Sequence, residues 1–139
     1  MQNLENLEQL KLVFELSRSE QFDNHVFNIA SKDNFLKFIN SSLTKIDLLD
    51  SFLLHEKEDG LYFLDKSSIT SSILTNSLDG IDLILIKSTN NIIEMFIVSF
   101  ASQGKSKSKL PVIKNALVET TKALNQNLGC YINYLILLS

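Results

Sequence analysis

Ile81–Phe100, IDLILIKSTNNIIEMFIVSF, decides the fold. Two apolar runs, Ile81–Lys87 and Ile92–Phe100, flank the polar quartet Ser88-Thr89-Asn90-Asn91. That pattern predicts a β-hairpin with a four-residue loop. Neither run alternates cleanly between apolar and polar residues. Near-continuous apolar strands are buried on both faces. The hairpin is therefore expected at the centre of a sheet covered on both sides.

Downstream, Ala101–Lys109 is polar and basic, and reads as a flexible loop. Pro111 then sits where the first turn of a helix tolerates proline. Ile113, Leu117, Thr120 and Leu124 recur at helical spacing, and Gly129 suits a position just past a helix end. These mark a helix over about 110–127. Cys130–Leu138 reads as a last strand. A strand, a helix and a further strand imply a right-handed parallel crossover.

Upstream, Leu4, Leu7, Leu10, Val13 and Phe14 predict a first helix over about 3–18. Ser17–Phe27 reads as a connection containing a short turn. Ser31 is a candidate N-cap for a second helix carrying Phe35, Phe38 and Ile39. Ser42 is a candidate cap for a third, with Ile46, Leu49, Phe52 and Leu53, ending near His55. Asp59-Gly60 and Asp79-Gly80 are turn signals, and Leu61–Leu64 is a strand candidate. Ser67–Ser77 admits helix, strand or loop.

The expected architecture is a single α/β domain over 1–139. Residues 1–58 form a helical part. Residues 59–139 supply a central mixed sheet with the hairpin, one crossover helix and the final strand. The N-terminal helices cover one face and the late helix the other. A chain of 139 residues buries roughly two-thirds of its unfolded surface, enough for a core without staples. A single cysteine, Cys130, excludes a disulfide framework and suits a reducing compartment. Met1–Gln9 carries Glu5 and Glu8 and no basic residue, unlike a secretory leader. No apolar run approaches the ~20 residues that span a bilayer. The expectation is a cytoplasmic protein with no membrane association.

Charge is divided unevenly. Residues 1–100 hold 15 acidic and 8 basic side chains, whereas residues 101–139 hold 5 lysines and one acid, Glu119. Lys105, Lys107 and Lys109 are therefore candidate phosphate contacts. Arg18 is the only arginine, and no aromatic residue interleaves with those lysines, which disfavours base readout and stacking. Gly104-Lys105-Ser106 lacks the glycine five residues earlier that a phosphate loop needs, since Ser99 stands there. His55-Glu56-Lys57-Glu58-Asp59 matches no metal-ligand spacing and reads as a charged helix end. Cys130 with His25 or His55 offers a formal thiol–imidazole pair, but an apolar strand start suits inert packing. No G-x-S-x-G elbow is present.

The order helix, three strands, helix, strand resembles the restriction-endonuclease-like superfamily, the PD-(D/E)XK nucleases, over about residues 61–138. The resemblance rests on Asp79-Gly80-Ile81-Asp82 at the start of one strand and Glu94 on the next. It implies that Asp82 and Glu94 would be catalytic and would hold Mg²⁺ or Mn²⁺ against a DNA or RNA phosphodiester. The family's lysine belongs two residues after Glu94, where Phe96 stands. The leading expectation is instead a small non-catalytic protein-binding module without a cofactor, such as an inhibitor, immunity protein or chaperone. Its acidic surface, including Glu56, Glu58 and Asp59, would meet another protein. The sequence leaves the oligomeric state open.

Overall fold

The computed structural model describes residues 2–16, 18–65, 80–123 and 130–139. Its fold is α/β. In chain order the elements are β1 (Gln2–Asn3), α1 (Leu7–Leu16), β2 (Val26–Asn28), α2 (Lys32–Ser42), β3 (Thr44–Lys45), α3 (Leu49–Leu54), β4 (Gly60–Asp65), β5 (Leu83–Thr89), β6 (Ile92–Ala101), α4 (Leu110–Ala123) and β7 (Cys130–Leu138). Short 3₁₀ turns occupy Phe22–His25 and Ser106–Lys109.

One mixed sheet runs β1-β2-β7-β6-β5-β4-β3. Every strand runs parallel to β6 except β5. The hairpin stands at its centre, as its near-continuous apolar runs require. Leu83, Leu85, Phe96 and Val98 face one way, with Leu10, Val13 and Phe14 of α1 and Phe35 and Ile39 of α2. Ile84, Ile86, Met95 and Ile97 face the other, with Leu49 of α3 and Ile113 and Ala116 of α4. The third helix thus sits with the late helix rather than with the first two.

Several expectations need correcting. The hairpin loop is two residues long, because Thr89 pairs with Ile92. Asn90 and Asn91 have φ of 50° and 63°, the left-handed pair of a type I′ turn, which asparagine tolerates. The first helix begins later than 3 because Leu4 donates its N–H to Asn28 O at 2.8 Å, next to β1. The connection over 17–27 hides β2, whose three residues are too few for periodicity to register. Ser42 closes α2 instead of capping α3, whose N-cap is Leu48. Ile46 is buried outside that helix, donating its N–H to Phe63 O at 2.8 Å. The part expected to be helical therefore contributes three strands to the sheet.

Other readings agree with the structure. Ser31 caps α2, its Oγ accepting from Asn34 N at 3.1 Å. Cys130–Leu138 is a strand parallel to β6, reached through α4. Gly80 takes the left-handed region at φ 84°, as its turn requires. Ser67–Ser77, Asp79, Leu124 and Gly129 lie outside the described residues. Among the described residues, no helix is long and apolar enough to cross a membrane.

Candidate functional site

The hairpin end of the sheet carries a cleft of about 900 Å³. It exists because α1 stops at Leu16 while β5, β6 and β7 continue beneath it. Phe14, the last aromatic of α1, packs on Phe96 at a ring separation of 4.5 Å and lines the cleft from above. Met95 and Ile132 also border it, with their side chains packed on the opposite face of the sheet. Lys87 and Glu94 are directly paired across β5 and β6 and lie on the α1 face. Arg18, just past the helix, reaches across to Glu94 with Nη2 3.0 Å from Oε1. The Lys87 ammonium stands 5.9 Å from the centre of the Phe14 ring. The sequence supplies these groups at fixed strand parity, so one face carries both charge and aromatic surface.

His25 closes the cleft at the β2 side. Its Nδ1 lies 3.0 Å from Tyr134 O and its Nε2 2.9 Å from Ser19 O. The ring is buried and stacks on Tyr134 at 4.2 Å. Burial pushes the Tyr134 phenol above its ordinary value, so it stays a neutral hydroxyl. Tyr131 and Ile92 also line the cleft and are exposed, Tyr131 by 64%.

The structure does not bring Asp82 and Glu94 together. Asp82 Oδ2 accepts the Phe100 N–H at 3.0 Å, and its other oxygen lies 3.9 Å from Lys32 Nζ. Glu94 is six residues before Phe100 on the same strand, about 20 Å along it. A Mg²⁺ ion binds oxygens at ~2.0–2.1 Å and cannot span that gap. Among the described residues, no group of three or more His, Cys, Asp and Glu is placed to hold a metal ion. Asp82 instead shares the opposite end of the sheet with the basic loop. There Lys32, Lys105 and Lys109 line a shallow depression with Phe100, and Lys107 stands exposed beside it.

Glu56, Glu58 and Asp59 lie exposed between α3 and β4, next to the hairpin. Asp59 Oδ1 accepts the Asn90 N–H at 2.8 Å, and Asn91 Oδ1 accepts the Lys57 N–H at 3.2 Å. Glu58 O accepts the Tyr62 hydroxyl at 2.8 Å. Burial, reinforced by Glu58 and Asp59, pushes that phenol up. Asp59 thus braces the turn, while the carboxylates of Glu56 and Glu58 remain at the surface. His55 Nδ1 lies 2.8 Å from Ser51 O on its own helix turn. Sequence spacing marks none of Arg18, Tyr131 and Tyr134 for a site, and marks His25 only as a formal partner for the Cys130 thiol. Only the end of α1 and the shortness of β2 assemble them.

Cys130 is partly buried at the start of β7. Burial pushes its thiol above the ordinary value of 9.0, with Lys57 pulling the other way. The folded chain therefore holds this proton more tightly than the unfolded chain. The stability it contributes is intact below pH 9.0 and is lost as pH rises through the higher folded value. Thiolate is the reacting species in alkylation. The expected iodoacetamide rate profile has its midpoint above pH 9.0, returning to the ordinary value in urea. A midpoint below 9.0 in the native protein would show an activated thiol instead.

No protein-family model, curated protein or solved structure matches the chain.

Proposed function

We propose that the protein is a non-catalytic protein-binding module whose contact region is the hairpin-end cleft. The observation that carries this reading is the exposure of Tyr131 and Ile92 on the lining of a cleft whose floor sets Phe96 beside Lys87 and Glu94. Binding hot spots are enriched in Tyr and Arg that a partner can desolvate, and both residue types converge here in Tyr131 and Arg18. The neighbouring surface carboxylates Glu56 and Glu58 would steer a basic partner rather than anchor it. An inhibitor, an immunity protein or a chaperone acts in this way, by holding another protein.

The nuclease-like reading needs Asp82 and Glu94 on one ion, and their positions at opposite ends of the sheet give it no support.

The test is site-specific photocrosslinking in the host cell. Benzoylphenylalanine at Tyr131 is expected to yield discrete protein adducts. The same group at Val118, exposed on α4, is the control and is expected to yield none. Equal adduct patterns at the two positions, or none at Tyr131, would overturn the proposal.

A further inference from the structure

β7 is paired along its whole length with β6, but on its other side β2 reaches only Ile136–Leu138. Successive residues of a strand address opposite neighbours with their backbone groups. Ile29 N–H donates to Leu138 O at 2.8 Å on the β2 side, and Ser139 N–H donates to Ala101 O at 3.2 Å on the β6 side. Counting back in twos, Leu138, Ile136, Tyr134 and Ile132 point away from β6. The Tyr134 carbonyl is met by His25, and its N–H donates to Asn133 Oδ1 at 2.8 Å. Among the described residues, nothing pairs with the outward N–H and C=O of Ile132. An unpaired strand edge is a template for another strand, and proteins blunt such edges with Lys, Pro or inward charge. Cys130-Tyr131-Ile132-Asn133-Tyr134 contains none of these and is rich in strand formers.

We infer that an extended, basic segment of a partner protein adds to β7 as a strand, centred on Ile132 and lying in the cleft. This rests on the protein-binding reading and specifies its mode and its partner chemistry. The incoming backbone bonds both outward groups of Ile132 and takes over the Tyr134 N–H from the Asn133 side chain. Main-chain bonds give affinity in such additions, and alternate side chains give specificity. Alternate side chains of the segment fall between Phe14 above and Phe96 on the cleft floor. The charge preference comes from the rim. Glu20 lines the cleft and Asp23 lies in the adjoining 3₁₀ turn; both are exposed, and neither has an ion-pair partner among the described residues. Arg18 is held by Glu94, and Lys87 on the floor balances one of the two acids, so one acidic charge is left over for a basic segment.

The experiment pans phage-displayed random peptides against the full chain. The enriched sequence is then synthesised with a fluorophore and its binding followed by polarisation. Enriched peptides are expected to alternate Lys or Arg with β-branched or aromatic residues. N-methylation at alternate backbone positions is expected to weaken binding ~10-fold or more, since it removes main-chain donors. Ile132→Pro in the protein should do the same by deleting the outward N–H. Because that variant can fail to fold, Glu20→Lys with Asp23→Lys serves as a second probe, with a similar loss expected. Enrichment of acidic or proline-rich peptides would overturn the inference. So would full tolerance of N-methylation, or a dimer of this chain that Ile132→Pro abolishes. Tolerance of N-methylation with adducts still forming at position 131 removes strand addition and leaves the protein-binding reading standing. No enrichment together with no adduct removes both.

Discussion

Replacing Phe14 by alanine is expected to lower the unfolding free energy by about 3–5 kcal/mol, the range for truncating a fully buried phenylalanine. Phe14 is 1% exposed and packs on Phe96, so it ties α1 to the central strand β6. Its loss removes transfer energy and leaves a void that the rigid sheet cannot close. The Lys87 ammonium also loses the ring beside it. Urea unfolding should show a lower midpoint with an unchanged slope, which reports lost stability rather than a changed unfolded state. Leu12→Ala, on the exposed side of the same helix, is the control and should stay within about 0.5 kcal/mol. A Phe14→Ala effect below about 1 kcal/mol would show that α1 does not dock on β6 in this way.

The second large effect is expected at His25. Carbonyl oxygens only accept, so the Ser19 and Tyr134 oxygens each need a ring N–H; a neutral imidazole supplies one and an imidazolium both. Leucine supplies neither. A buried acceptor left without a partner costs ~1–3 kcal/mol, so His25→Leu should cost about 2–5 kcal/mol, including the lost stacking on Tyr134. The damage should be local as well as global. His25 immediately precedes β2, and amide exchange at Val26–Asn28 should quicken more than exchange in β5. A loss below about 1 kcal/mol would mean that water replaces the ring at both oxygens.

These two residues show how differently fold and site were written in the chain. Phe14 stands in a helical stripe with Leu10 and Val13, and periodicity alone identified it as core. The apolar runs around Asn90-Asn91 likewise placed β5 and β6 at the centre of a covered sheet. Pro111 with Ile113 marked α4, and the mostly apolar run from Cys130 to Leu138 marked β7. Each of these features is local, because hydrophobic period and turn chemistry act within a few residues. His25 carried no such mark. Its partners are six residues and 109 residues away, and only the docking of β2 on β7 brings both carbonyls to the ring.

The same division explains the candidate site. By itself the sequence determined that the chain is α/β, that the hairpin is central, and that a crossover helix leads to a last parallel strand. It also supplied two carboxylates, Asp82 and Glu94, on neighbouring strands. Whether those carboxylates meet depends on register, and the pairing of Lys87 with Glu94 sets them at opposite ends of the sheet. Tertiary structure alone decided where α1 ends over the sheet and how little of β7 the short β2 covers. Those two lengths create the cleft and leave the Ile132 backbone facing outward. Strand pairing and helix docking are long-range events, decided by the burial of both sheet faces together, and no local stretch of residues encodes them.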